Sequence, residues 1–248
     1  MIGVYDSGVG GLTVLRELIK ILPGEDYVYY SDGANCPYGP KDPQFIVERA
    51  SEITDTLIAR GAEMIVVACN TATAAAISTL RSRYDIPFIG MEPAIKPAIL
   101  QSRSGVVGVL ATSGTFKGRL YLDTLARFAG EVKVIEKVGT GLVEAVEKGD
   151  FGSDNLKTLL HTYIDPMIEA GADHIVLGCT HYPFLEGTIR TIAGEGITIV
   201  NPAPAVARQA RRILEGIKEL EPSAKEGSRE FLSSGSTEVL LKLAESIR

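Results

Sequence analysis

Ile175-Val-Leu-Gly-Cys179-Thr-His-Tyr-Pro183 is an apolar run that ends in a small residue and hands over at once to a cysteine, a threonine and a histidine. The first half of the chain holds a second copy. Ala62-Glu-Met-Ile65-Val-Val-Ala-Cys69-Asn-Thr71 aligns with Ala172-Asp-His-Ile175-Val-Leu-Gly-Cys179-Thr-His181, and Gly61 aligns with Gly171. Each copy reads as a turn, a buried strand, and a cysteine where the strand gives way to a helix. Two related halves would each present one thiol at the same structural position, and the two thiols would face each other across one site as a pair.

The segments around these copies alternate between strand and helix. Residues 2–5 form a short apolar strand, followed by Asp6-Ser-Gly-Val-Gly-Gly11 and an amphipathic helix in which Leu12, Leu15, Ile19 and Leu22 recur at helical spacing. Pro23-Gly24 ends that helix, and 26–31 is a second strand. The turn-rich loop Asp32-Gly-Ala-Asn-Cys36-Pro-Tyr-Gly-Pro40 precedes a long helix over 43–60 and the strand leading to Cys69. An alanine-rich helix at 71–84 and a strand at 86–90, broken off by Pro93 and Pro97, complete the first round.

A second round opens at Gly105-Val-Val-Gly-Val-Leu-Ala111-Thr-Ser-Gly-Thr115, with Gly108 falling on Gly3 and Thr112 on Ser7. A helix at 116–128, a strand at 132–138 and helices at 142–148 and 155–170 lead to the strand before Cys179. A strand at 197–200, a helix at 203–218, a polar segment at 219–227 expected to be mobile, and a strand–helix unit at 230–232 and 237–247 finish the chain. This alternation predicts an α/β protein with parallel sheets and helices on both faces. Ligands of such sheets bind beyond the carboxyl ends of the strands. Asp6, Cys69, Thr112 and Cys179 all fall there.

Composition narrows the function. A net charge of −6 argues against nucleic acid as the main partner. Three cysteines in 248 residues do not make a disulfide scaffold, and the odd count points to free thiols in a reducing compartment. No charged-then-apolar leader precedes the first strand. The longest apolar runs are far short of the ~20 residues of a membrane span. A cytoplasmic protein that engages no membrane is expected.

The candidate groups have bland alternatives. The glycine loop at Asp6–Gly11 reads as an anion cradle or as a tight strand-to-helix turn; it fits neither the dinucleotide fingerprint nor the Walker pattern. A lone Cys69 would read as packing, but its twin changes that, and a helix N-terminus at each thiol favours thiolate. Cys36 has no twin and reads as a bystander near the site. His181 can reach Cys179 or a substrate carboxylate as an acid–base group, whereas His161 and His174 attract no role. Glu147 reads by itself as part of a solvated helix face. No lysine or arginine lies inside the strand-end motifs, so a carboxylate ligand would be met by backbone N–H groups, hydroxyls and amides from Ser7, Asn70, Thr71, Thr112 and Thr180.

Taken together, Asp6-Ser-Gly-Val-Gly-Gly-Leu-Thr-Val-Leu15, Pro37-Tyr-Gly39, Val66-Val-Ala-Cys-Asn-Thr71, Leu177-Gly-Cys-Thr-His-Tyr-Pro183 and Phe231-Leu-Ser-Ser-Gly235 resemble the motifs of the glutamate racemases, within the cofactor-independent aspartate/glutamate racemase superfamily. The resemblance implies two similar flavodoxin-like domains related by a pseudo-two-fold, 1–97 plus 207–248 and 98–206, with the site in the cleft between them. It implies Cys69 and Cys179 as the catalytic acid/base pair, Asp6 assisting Cys69 and His181 assisting Cys179, with help from Glu147. Ser7, Tyr38, Gly39, Asn70, Thr71 and Thr180 would hold the substrate. A homodimer that needs neither cofactor nor metal, supplying D-glutamate to peptidoglycan, is implied as well. Gly139-Thr140, Asn201-Pro202 and Gly118 depart from common family residues; aspartate or another acidic amino acid is the alternative substrate. Three rival readings use the same residues: a zinc site of Asp6, Cys69, Cys179 and His181, a Cys–His hydrolase, and a two-lobed binding module with incidental thiols.

Overall fold

The computed structural model describes residues 1–218 and 226–245, so most of the polar 219–227 segment and the end of the helix expected over 237–247 lie outside the described residues. Among the described residues, nine strands make two wholly parallel sheets. The first sheet holds β1 (Ile2–Asp6), β2 (Tyr27–Ser31), β3 (Met64–Val67), β4 (Phe88–Gly90) and β9 (Arg229–Ser233) in the order β4-β3-β1-β2-β9. The second holds β5 (Val106–Ala111), β6 (Lys133–Val138), β7 (His174–Gly178) and β8 (Thr198–Val200) in the order β6-β5-β7-β8. Numbered within its own lobe, the second sheet runs 2-1-3-4 and the first contains the same order with β9 added outside β2, the start of the flavodoxin-like doubly wound order. The internal duplication is therefore structural. Even the register repeats: Gly3 pairs with Ile65 and Gly108 with Ile175.

Local chemistry explains the helix boundaries. Helix α1 (Leu12–Ile21) buries Leu12, Leu15 and Leu18 at helical spacing. Helix α2 (Pro43–Ala59) starts where Asp42 caps the Gln44 N–H at 2.8 Å and Pro43 supplies a preset φ. Helix α3 (Asn70–Arg83) follows Cys69 directly. Where α2 ends, Gly61 takes φ +91°, and Gly171 takes φ +87° at the end of helix α8 (Asp154–Glu169), so the aligned glycines do the same work.

The structure corrects two expectations here. Pro97 does not break the chain but sits in the first turn of a helix, α4 (Ile95–Gln101), where no intrahelical N–H is required of it. The single helix expected over 116–128 is two, α5 (Ser113–Phe116) and α6 (Arg119–Phe128), separated at Lys117-Gly118. A Cβ at Gly118 would come within 2.6 Å of Ala74 on α3, so the break lets the two lobes approach.

The remaining helices are α7 (Leu142–Glu147), α8 (Asp154–Glu169), α9 (Glu186–Ala193), α10 (Ala203–Glu215) and α11 (Glu238–Glu245). One apolar cluster runs from Leu12, Leu15 and Leu18 of α1 to Leu160 and Ile164 of α8, so the lobes share a core beneath their common cleft. Among the described residues, no helix is long and apolar enough to cross a membrane.

Candidate active site

In each sheet the strand order reverses between the first and third strands of the lobe. The crevice at such a reversal is where doubly wound sheets bind ligands. Asp6 ends β1, and Cys69 follows β3, one on each side of that point in the first lobe. Thr112 follows β5 and Cys179 follows β7 in the second lobe. The two crevices face each other. A narrow cavity is lined from one side by Ser7, Tyr38, Gly39, Cys69, Asn70 and Thr71, and from the other by Thr112, Cys179, Thr180 and His181. Ten of the residues singled out in the sequence thus meet in one enclosed space. Asp6 and Glu147 stand behind this lining.

Both thiols are free and buried. Cys69 is the N-cap of α3: its Sγ accepts the Ala72 N–H at 3.4 Å and lies 3.8 Å from Ser7 Oγ. The helix field does not win there. Burial, joined by the charges of Asp6 and Cys179 and only partly offset by the Ala72 and Ser7 hydrogen bonds, pushes the Cys69 thiol well above its ordinary range. The expected thiolate-favouring environment is therefore corrected at Cys69. Cys179 opens onto a 3₁₀ turn (Tyr182–Leu185) rather than directly onto a helix, and its Sγ lies 3.8 Å from His181 Nδ1.

Asp6 is fully buried and accepts from the Gly11 N–H at 2.8 Å and from Thr180 Oγ1 at 3.3 Å. Burial raises its pKa, against the pull of His181 and Cys69. His181 is equally buried. Burial opposes its charge, but contacts with Cys179, Cys36 and Glu147 overturn that and hold the imidazolium well above the usual histidine range. Its Nε2 is 2.6 Å from Glu147 Oε1. The same oxygen accepts the Val9 N–H at 2.7 Å. Glu147 is consequently held below its ordinary value despite burial, chiefly by His181.

Glu147 on α7 therefore belongs to the site and not to a solvated helix face. Its sequence surroundings are those of any amphipathic helix; only the family resemblance singled it out. The glycine loop after β1 is corrected as well. The anion its backbone meets is Glu147 of the opposite lobe. A Cβ at Gly8 would collide with Glu147, and one at Gly10 with His181, so these glycines admit the other lobe. Cys36 is no mere bystander either. Its Sγ, Glu147 and His181 have ligating atoms all within 4.8 Å of one another, and this is the group of three potential metal ligands found among the described residues. The zinc quartet of Asp6, Cys69, Cys179 and His181 is not such a group.

The polar lining is arranged for a small zwitterion or acid. Both side-chain atoms of Asn70, Nδ2 and Oδ1, are buried without a protein partner. An unpaired buried amide costs about 1–3 kcal/mol per group, which a bound polar molecule would recover. Thr71 Oγ1 meets Thr112 Oγ1 at 2.8 Å across the seam, and Ser113 Oγ donates to the Gly39 carbonyl at 2.9 Å. Tyr38 is fixed from behind: its hydroxyl donates to Asp32 at 2.6 Å. Asp32, itself fully buried, also takes hydrogen bonds from Arg49 at 2.8 and 3.1 Å and from Ser234 Oγ at 2.7 Å. The Tyr38-Gly39 loop, entered through a cis Cys36–Pro37 bond, is thus tied to both α2 and the turn after β9. Sequence reading assigns no role to Asp32 or Arg49, and Ser234 enters it only as part of the Phe231–Gly235 motif.

Comparison with known proteins agrees with this arrangement. The profile of the Asp/Glu/Hydantoin racemase family matches residues 2–210. A glutamate racemase of Herpetosiphon aurantiacus is 48% identical over 94% of this chain and 92% of its own length. One of Methylococcus capsulatus is 50% identical over 96% and 88%. Among solved structures, glutamate racemase isoform RacE1 of Bacillus anthracis superposes with a TM-score of 0.88 at 33% identity, covering 99% of this chain and 92% of that one. Escherichia coli glutamate racemase, in complex with L-glutamate and the activator UDP-MurNAc-ala, gives 0.87 at 35% identity, covering 99% and 94%. With two thiols at duplicated positions, a shared cleft and a profile match over most of its length, the chain belongs to the Asp/Glu/Hydantoin racemase family.

Proposed function

We propose that the protein is an amino-acid racemase that interconverts L- and D-glutamate by a two-base route through Cys69 and Cys179. The observation that carries this reading is the placement of two free thiols, from equivalent strand ends of duplicated lobes, on one cavity. Inverting an α-carbon requires a proton to leave one face and another to arrive at the opposite face. One thiolate takes the Cα proton while the facing thiol gives its own to the other side, so the pair ends each turnover with roles exchanged.

Asp6 assists at the Cys69 side; His181, held by Glu147, assists at the Cys179 side. Ser7, Tyr38, Gly39, Asn70, Thr71, Thr112 and Thr180 hold the substrate. The carbanion needs donors fixed around its carboxylate in a dry cleft, each worth roughly 10²–10³ in rate. The Asn70 amide, the threonine hydroxyls and the N-terminus of α3 are placed to serve. This route draws on no cofactor or metal. We place the lobe division at 1–97 with 207–248 and at 98–206, supported by the pairing of β9 with β2 and the packing of α10 on α1. A cytoplasmic homodimer feeding D-glutamate to peptidoglycan completes the reading.

Purified protein incubated with L- or D-glutamate in deuterated water, with no added cofactor, tests it. Loss of optical activity with one deuteron at Cα is expected. Retention of optical activity with glutamate but not with aspartate would transfer the reading to that substrate; retention with both would end it.

A further inference from the structure

We propose that Cys36, Glu147 and His181 form an inhibitory binding site for Zn²⁺, reached from outside the substrate cleft. The three side chains offer a thiolate, a carboxylate and an imidazole, a donor set suited to zinc, with the fourth tetrahedral position left for water. Their ligating atoms already lie within 4.8 Å of one another. Zinc bonds of ~2.0–2.3 Å put neighbouring ligand atoms roughly 3.3–3.8 Å apart, so closure needs shifts of about 1 Å or less. The His181–Glu147 contact of 2.6 Å would open slightly, and Cys36 would close in.

Access is separate from that of the substrate. A surface pocket of about 160 Å³ is lined by Cys36 and Glu147, together with Glu144 and Lys148, but not by either catalytic thiol. His181 lines the substrate cavity and not this pocket. It forms a wall between the two spaces, with Nδ1 toward Cys179 and Nε2 toward Glu147. Lys148 is exposed and free to turn its charge into solvent, while Glu144 adds a compensating carboxylate.

Coordination would release two protons to solvent, one from the Cys36 thiol and one from His181 Nε2, and replace the hydrogen bond to Glu147 with bonds to the ion. His181 would then be pinned with its remaining proton on Nδ1, cut off from its carboxylate partner. The effect on turnover rests on the role given above to His181; the binding itself does not.

Cobalt(II) serves as the probe, because a thiolate ligand gives it an intense near-ultraviolet charge-transfer band. Titration of the full-length protein is expected to produce that band at one equivalent, to keep it in Cys179→Ser, and to lose it in Cys36→Ser and Cys36→Val. In parallel, Zn²⁺ is expected to suppress racemisation reversibly, with chelator restoring it. Measured against its own metal-free rate, Cys36→Ser should require roughly 10–100-fold more Zn²⁺ for the same fractional inhibition, the scale on which metal sites lose affinity when their support is removed. A band that survives in both Cys36 variants, or none in the wild type, overturns the site. A normal band with equal zinc inhibition of wild type and Cys36→Ser overturns the inhibitory role. The band is read without turnover, so a failure of the racemase reading leaves it interpretable.

Discussion

Replacing Arg49 with methionine removes a guanidinium from a carboxylate that has no access to water, while keeping much of the side-chain volume. Asp32 accepts from Arg49 at 2.8 and 3.1 Å, from Tyr38 at 2.6 Å, from Ser234 at 2.7 Å and from Asn35 at 3.1 Å. Stranding a buried charge typically costs about 3–5 kcal/mol. The three neutral donors that remain bring the expectation to the lower end, about 3 kcal/mol. In a chain of this length that is a fall in Tm of roughly 6–12 °C. Asp32→Asn leaves a guanidinium that is partly exposed and can turn to Glu52, so it should cost less, about 1–2 kcal/mol.

The double variant should cost less than the sum of the two, with a coupling of about 1–2 kcal/mol. Urea denaturation supplies all four corners of the cycle. Because Tyr38 and Gly39 line the cavity, the KM for substrate should rise in Arg49→Met as well. The acid limb gives an independent check. Burial alone would raise Asp32, but Arg49, Tyr38, Ser234 and Asn35 hold it below its ordinary value. Its stabilisation is thus complete above the unfolded pKa of about 4 and disappears as pH falls through the lower folded value. Without Arg49 that loss should begin at higher pH. A variant within about 0.5 kcal/mol of wild type, or strictly additive costs, would refute the reasoning.

Glu147→Gln keeps an acceptor for the Val9 N–H but removes the charge that pairs with His181; a charge-assisted hydrogen bond of ~1.5–3 kcal/mol corresponds to a fall in kcat of roughly 10–150-fold. Steady-state kinetics with unchanged urea midpoints would distinguish this from unfolding. Gly10→Ala should lower turnover by about 100-fold or more, since its methyl meets the His181 ring, whereas Gly61→Ala, at φ +91° in open space, should cost about 1 kcal/mol of stability and no activity. Because the Cys69 thiol is pushed up, its thiolate fraction grows with pH, so kcat/KM should climb through the neutral range by up to about tenfold per unit. Asp6→Asn should shift that climb to lower pH, and a flat profile in both proteins would refute the assignment.

The duplication, the parallel sheets and the two thiols were legible because each is encoded locally, in a strand of four or five apolar residues and the polar group that follows it. Gly61 with Gly171 and Gly3 with Gly108 gave the same alignment that the strand registers give. What escaped was the chemistry made across the seam. Glu147 is 34 residues from His181 and 138 from Val9, so no local pattern joins them. The same holds for Ser234 and Asp32, 202 residues apart. Cys36 was correctly placed near the site, but its neighbours come from the other lobe. The glycines after β1 were visible as a loop; that they make room for two side chains of the opposite lobe could not be read from the loop. The thiolate expectation at Cys69 failed because a helix N-terminus is a local feature, while its opponents, burial and the Asp6 charge, come from tertiary packing.

Strand β9 lies outermost on the first sheet, paired residue for residue with β2. During synthesis, β2 leaves the ribosome early and then waits with a bare edge while the whole second lobe is made. Only a segment translated after that lobe closes the edge, and with it comes Ser234, which ties down the loop carrying Tyr38. Until β9 docks, the first lobe is therefore an unfinished sheet with an open edge, vulnerable to pairing with strangers.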